Sequence, residues 1–273
     1  MTGDRAKSLL AGSRFADVRW VESIESTNAA LLAVARDGAP EGRVVVADHQ
    51  TSGRGRLGRV WEAPAGSSLL VSVLLRPATG LSEPLPVSSA HLLTVAVAAA
   101  AAAACDEVAG VQPLLKWPND LMVDDRKLGG VLAESVVDDG VLAAVVVGLG
   151  VNVNWPPAAS LPPEVAALGD SAVALGWLAG REVDRESLLV ALLTGLDYRY
   201  SVLGTESGRR ELAMEYRSLL ATLGRRVRVE LPGETVEGEA VDVTIEGHLV
   251  VAADSGVERV VTAGDVVHLR PAG

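Results

Sequence analysis

Cysteine is almost absent from this 273-residue chain: Cys105 stands alone, so no internal disulfide framework and no multi-cysteine metal site is possible. It lies beside an alanine run and reads as a small buried residue. Histidine is nearly as scarce, and none of His49, His91, His248 and His268 stands at metal-site spacing from another. Aromatic residues make up 3%, so Ala, Val, Leu and Gly carry the packing. A basic excess is missing too. The formal net charge of -11 argues against nonspecific nucleic-acid binding, which needs a cationic face. Residues 1–7 lead into no apolar signal-peptide core, and the longest apolar run, 92–105, reads as too short and alanine-rich for a membrane span. No fixed-period repeat occurs. The expected setting is cytoplasmic, away from membranes.

What remains is a globular composition, 49% hydrophobic and 22% charged, long enough for one large domain and a small one. The pattern predicts strands over 18–21, 43–48, 68–75 and 114–117. A helix is expected over 29–36, with Ser26 or Thr27 suited to cap it and Gly38 to close it. A long helix is expected over 88–105. Asp124-Asp125 reads as a hairpin turn, followed by a strand over 127–137 that Gly129-Gly130 interrupts, and by a valine-rich strand over 142–153. Helices follow over 172–178, 185–203 and 209–220. After Gly224 the pattern changes to short alternating strands, 226–231, 235–245, 249–253 and 257–269, with turns at Pro232-Gly233, Glu246-Gly247 and Ser255-Gly256. This predicts a small SH3-like barrel, with a boundary near Thr222-Leu223 and domains of 1–222 and 223–273.

Four clusters stand apart from this background. Gly53-Arg54-Gly55-Arg56-Leu57-Gly58-Arg59 places three glycines and three arginines in seven residues, a flexible anion clamp on an acidic protein. Ser26-Thr27-Asn28 precedes a helix. Lys116-Trp117-Pro118-Asn119-Asp120 is followed by Arg126-Lys127-Leu128-Gly129-Gly130. Gly148-Leu149-Gly150-Val151-Asn152-Val153-Asn154 closes the valine-rich strand. Singly, each has an ordinary structural reading as a cap, a turn or a bend.

Together and in this order, the clusters resemble the biotin protein ligases. The resemblance runs through residues 18–155 and extends over the C-terminal strands. It implies an α+β fold: a mixed sheet flanked by helices, like a class II synthetase, followed by an SH3-like β-barrel. It also implies an ATP-dependent ligase that makes biotinyl-5′-AMP and passes biotin to a lysine of a biotin carboxyl carrier protein. The substrates implied are biotin and ATP with Mg²⁺. The expected protein is a monomer or homodimer with no DNA-binding module, since the residues before the first motif are too few. A lipoate ligase or octanoyltransferase of the same fold is the alternative, though neither would be expected to carry this Gly/Arg loop.

The resemblance also implies roles for single residues. Ser26, Thr27, Asn28 and Gln50 match the biotin ring site, where neutral donors and acceptors suit a ureido group. Arg54, Gly55 and Arg56 match the loop over biotin and its adenylate, and Gly129 a close approach to biotin, with a β-bulge as the other reading. Arg59 matches an adenylate phosphate contact, Trp61 an adenine-packing position or a core residue, and Asn152 a nucleotide contact. Asn119 and Asp120 match nucleotide and Mg²⁺ positions, and Lys116 either a triphosphate contact or a group that orients Asp120. Lys127, with Arg54 and Arg56, is the expected catalytic group. The chemistry fits: attack of a carboxylate on an α-phosphate gathers negative charge, and positioned cations stabilise it. Trp117 is expected to pack, Asn154 to cap its strand, and Arg225, Arg226 and Arg228 to be either a solvated face or a partner contact.

Overall fold

The computed structural model describes residues 3–231 and 233–269. A short helix α1 (Asp4–Leu9) precedes β1 (Val18–Ile24), α2 (Thr27–Arg36), β2 (Val44–Gln50) and β3 (Ser68–Leu75). The long α3 (His91–Ala109) leads to β4 (Leu114–Lys116), β5 (Asp120–Val123), β6 (Arg126–Asp138) and β7 (Val141–Asn152). Four helices follow: α4 (Pro163–Ala166), α5 (Leu175–Ala179), α6 (Arg185–Val202) and α7 (Glu206–Leu219). The chain ends in β8 (Arg226–Leu231), β9 (Glu234–Val243), β10 (Leu249–Ala253), β11 (Glu258–Val261) and β12 (Asp265–His268).

The first seven strands form one sheet in the order β1-β2-β3-β7-β6-β5-β4. Only β1 and β2 run parallel; the other pairs are antiparallel, which makes the sheet mixed. The last five form an antiparallel sheet, β11-β10-β9-β8-β12. The fold is the expected mixed sheet with flanking helices and a C-terminal β unit.

Alternation along the strands divides the core. Val44 and Val46 of β2, Leu69, Val71 and Val73 of β3, and Val145, Val147, Leu149 and Val151 of β7 join α3 and α6 in one large apolar cluster that continues into the C-terminal sheet. Val45, Leu74, Ala144 and Val146 face the other way and pack on Leu31 and Ala35 of α2. The strand β7 is apolar throughout because both its faces are covered. The segment 87–109 is long and apolar enough to cross a membrane by length and composition, yet 78% of its apolar window is buried inside the fold. It is a core helix, and its alanines let α6 approach closely.

Several boundaries differ from expectation. Strand β1 extends to Ile24, and α1 and β5 have no counterpart among the expected elements. The segment expected as one strand over 257–269 is two, β11 and β12, separated at Gly264, whose φ of 153° opens the chain between them. Ala172 is extended and bridges Lys127, so the helix expected over 172–178 is confined to α5. Strand β6 runs through Gly129-Gly130 without a break. The irregularity is a register shift against β5, which skips Leu128 between the pairs Leu121–Gly129 and Met122–Lys127. Asp124 and Asp125 turn the β5–β6 hairpin with φ of 50° and 60°. Of the expected Pro232-Gly233 turn, Pro232 lies outside the described residues.

Candidate functional site

The site occupies the α2 face of the large sheet, just beyond the N-terminus of α2. Gly148 and Gly150 continue the row of Ala144 and Val146 along β7. Gly148 pairs with Ser72 and Leu132, and Gly150 with Leu70 and Gly130. With no side chains on β7 at those two points, the sheet has a hollow. Asn28 Oδ1 occupies the place that a Cβ on Gly148 would need, and the Trp61 ring lies 2.6 Å from the equivalent point on Gly150. The glycines are there because the space is used.

The hollow has two compartments. The inner one, ≈ 30 Å³, is lined by Ser26, Thr27, Asn28, Gln50 and the glycine floor. Arg54 aside, its polar groups are neutral and mutually fixed. Ser26 caps α2 by accepting from the Ala29 amide at 3.4 Å. The Thr27 amide and hydroxyl both donate to Gln50 Oε1, at 2.8 and 3.0 Å, leaving the Gln50 amide nitrogen toward the loop. Ser72 Oγ lies 2.7 Å from Thr27 Oγ1 and 2.6 Å from Asn28 Oδ1. Asn28 Nδ2 donates to Leu132 O at 3.2 Å and to Glu134 at 2.8 Å. Asn28 is thus a brace of this wall, with its hydrogen-bonding groups taken up by the protein.

The outer compartment, ≈ 470 Å³, holds the charge: Arg56, Arg59, Lys116, Asp120 and Lys127 all line it, together with Asn152. Lys127 Nζ and Asp120 Oδ1 are paired at 2.6 Å. Arg54, Trp61, Gly130 and Leu132 belong to both compartments. Trp61 therefore stands at the junction, against Gly150, with Lys127 Nζ 5.6 Å from its ring centre and its own Nε1 buried without a partner.

The Gly/Arg loop closes over the junction as a small hairpin. Arg54 bridges Val60, the Gly55 amide donates to Arg59 O at 2.7 Å, and the Trp61 amide donates to Gly53 O at 3.0 Å. Gly53 has to be glycine, since a Cβ there would run into Trp61 O. Leu57 and Gly58 make the tip with φ of 56° and 74°. The three arginines are all engaged. Arg54 faces Glu134 at 4.0 Å, Arg59 is bound by Asp265, and Arg56 donates to Asn119 Oδ1 at 3.2 Å and to Gly264 O at 3.0 Å. Burial pulls the Arg56 guanidinium below its ordinary pKa.

The remaining expected residues sort by the same geometry. Asn119 Nδ2 donates to Val131 O at 2.8 Å, fixing its carbonyl toward Arg56. Asn152 Nδ2 donates to Val173 O at 3.1 Å, and its buried Oδ1 has no partner, an acceptor held open. The Lys116 ammonium has no ion-pair or hydrogen-bond partner among the described residues. No group of three or more His, Cys, Asp or Glu among the described residues could hold a metal by itself. A single carboxylate, Asp120, suits Mg²⁺ that takes most of its ligands from phosphates and water. Gly129 lines neither compartment: its missing Cβ points at Gly150 O, 2.7 Å away, and Gly130 is the glycine that faces the site. Gly55 lines the outer compartment rather than the inner one. Trp117 is buried and donates to Gly247 O at 3.1 Å. Asn154 braces the Val183 backbone in both directions. Arg225, Arg226 and Arg228 pair with Asp125, Asp254 and Glu237. The sequence motifs leave out Ser72 and Leu132 and give no role to Gly148 and Gly150, which the fourth motif contains; alternation along paired strands could have located all four. They also leave out Gly264 and Asp265, which no local pattern connects to the loop.

Residues 20–152 match the biotin/lipoate A/B protein ligase family, and residues 222–269 match the biotin protein ligase C-terminal domain. The chain is 38% identical over 265 residues to the biotin–[acetyl-CoA-carboxylase] ligase of Mycobacterium tuberculosis, covering 95% of this chain and 92% of that one. It is 32% identical over 240 residues to the bifunctional ligase/repressor BirA of Bacillus subtilis, covering 88% and 70%. Among solved structures, the biotin protein ligase of Aquifex aeolicus in complex with biotin and ATP superposes with a TM-score of 0.76 at 26% identity, over 94% of this chain and 100% of the other. The chain belongs to the biotin protein ligase family and is a ligase.

Proposed function

We propose that this ligase binds biotin in the inner compartment and ATP in the outer one, joins them as biotinyl-5′-AMP, and passes biotin to a lysine of a biotin carboxyl carrier domain. The observation that carries this reading is the pairing of a neutral polar compartment with a cationic one through the junction at Trp61, Gly130 and Arg54, beside Lys127. Lipoate has no ureido group to engage Thr27 and Gln50. The match of the C-terminal residues to a biotin ligase domain also favours biotin.

Thr27 and Gln50 orient the ring head, and the Gly148–Gly150 floor takes the apolar body. The carboxylate then reaches the junction. Lys127, held there by Asp120, turns its ammonium to the carboxylate and the α-phosphate, where negative charge builds as the oxygen attacks phosphorus and pyrophosphate leaves. Arg56 and Arg59 exchange their protein partners for phosphate oxygens. Asn152 Oδ1 accepts from the exocyclic amine of adenine, a donor that guanine lacks at that edge. Asp120 would hold Mg²⁺, which would neutralise the β- and γ-phosphates. The Gly/Arg loop keeps water from the mixed anhydride until the lysine amine attacks the acyl carbon and AMP departs. In this reading residues 1–222 form the catalytic domain and 223–273 the small one. The enzyme works in the cytoplasm as a monomer or homodimer, without DNA. Incubation with biotin, ATP, Mg²⁺ and an apo carrier domain tests this: one biotin on the carrier lysine supports it, and an unmodified carrier contradicts it.

A further inference from the structure

The C-terminal sheet lines the outer compartment at the start of β12 and meets the segment before β8 at its end. At its start Asp265 binds Arg59, and Gly264 O accepts from Arg56. At its end His268 Nε2 lies 3.2 Å from Thr222 Oγ1. Thr222 is fully buried, and its Oγ1 also accepts the Trp117 amide at 3.0 Å. That amide opens the turn in which the Asn119 amide donates to Lys116 O at 3.1 Å, so Thr222 anchors the backbone that presents Asn119 and Asp120. A threonine oxygen has two lone pairs, so one that accepts from Trp117 can accept once more. His268 supplies the donor: its Nδ1 lies 3.5 Å from Arg225 Nη1, which can only donate, so the neutral ring carries its proton on Nε2. Burial, with Lys116 and Arg225 nearby and Asp125 opposing them, brings the His268 pKa down to about 4.

We propose that His268 is a positioning residue for the ATP half-site, acting through the Thr222 hydroxyl and the Trp117 amide on the turn that carries Asn119 and Asp120. The proposal rests on the reading of the outer compartment as the ATP site. It gives the C-terminal sheet a definite part in the reaction: it fixes the nucleotide-side turn and leaves the biotin compartment alone, since no residue of β12 lines that compartment.

The test compares His268→Leu, His268→Gln, Thr222→Val and Thr222→Ser with wild type. Three readouts are taken: KM for ATP in adenylate formation, biotin affinity without ATP, and hydrogen exchange at the Trp117 amide. Loss of one buried hydrogen bond is worth about a ten-fold change. His268→Leu is therefore expected to raise KM for ATP about ten-fold and to speed exchange at Trp117, with biotin affinity unchanged. His268→Gln, which keeps a donor, and Thr222→Ser, which keeps the hydroxyl, are expected to stay within about three-fold of wild type. Should Thr222→Val fail to fold, His268→Leu carries the test. Wild-type KM for ATP and wild-type exchange in His268→Leu overturn the proposal, as does an equal loss of biotin and ATP affinity. A wild type that binds ATP yet forms no biotinyl-adenylate overturns the proposed function instead, and the exchange rate at Trp117 still decides the positioning claim.

Discussion

Gly150→Ala tests the floor of the biotin compartment. A Cβ at this position would lie 2.6, 2.8 and 2.9 Å from Cε2, Cζ2 and Nε1 of Trp61. Carbon contacts relax at about 3.5–4.0 Å, so the indole must retreat by roughly 1 Å into the space proposed for biotin. The backbone is not the obstacle, because Gly150 is not left-handed and accepts alanine there. Overpacking of this size costs about 1–3 kcal/mol. Taken from binding, it predicts biotin affinity weaker by about 5- to 150-fold. Gly130→Ala is the control. Its Cβ would meet Asp120 Oδ1 at 3.3 Å and Lys127 Cε and Nζ at 3.3 and 3.4 Å, and the lysine end can yield. Calorimetric titration of biotin without ATP, with melting curves to exclude unfolding, reads both variants. Wild-type biotin affinity in folded Gly150→Ala would refute the placement of the ligand over this floor.

Lys127→Ala is expected to slow adenylate formation by about 10²–10³-fold, the range for removing one charge-stabilising donor. Its pair with Asp120 is partly exposed, at 37% and 23%, so melting should change by no more than about 1 kcal/mol. Unchanged single-turnover adenylation would remove Lys127 from its role. Arg54→Ala should release the adenylate to solvent faster than wild type, measured by loss of radiolabelled intermediate from the isolated enzyme, while an equal release rate would count against the loop as a cover. His91 supplies a pH test. Burial, with His248 and Arg56 beside it, brings its pKa from 6.5 to about 3. The unfolded chain therefore binds the extra proton first, and stability present above pH 6.5 is lost as pH falls toward 3, by about 2 kcal/mol at pH 5. Melting curves between pH 7 and 5 should show this loss beside a similar one from His268, and His91→Phe should remove its own share of about 2 kcal/mol; the same slope in the variant would contradict the assignment.

What the sequence makes legible follows local rules. The Ser26 cap, the Asp124-Asp125 turn and the valine-rich β7 are each written in neighbouring residues, and the structure has them where the pattern puts them. The Gly/Arg loop and the Lys116–Asp120 segment are marked by composition, and they do meet across one cavity. The hollow itself is not legible. Gly148 and Gly150 look like a bend until β3 and β6 are known to flank them and to place Ser72 and Gly130 opposite. The choice of Gly130 over Gly129 depends on the pleat, which the skipped Leu128 resets by one residue. The grip of Asp265 on Arg59 and the reach of His268 to Thr222 join residues far apart in the chain, and only the docking of the two sheets brings them together.

The most direct test of the account is incubation of the purified protein with ATP, Mg²⁺ and either biotin or lipoate, with mass spectrometry of the bound product. Two compartments joined beside Lys127 predict biotinyl-5′-AMP, retained by the enzyme until a carrier lysine is supplied. Lipoyl-AMP without biotinyl-AMP would contradict it.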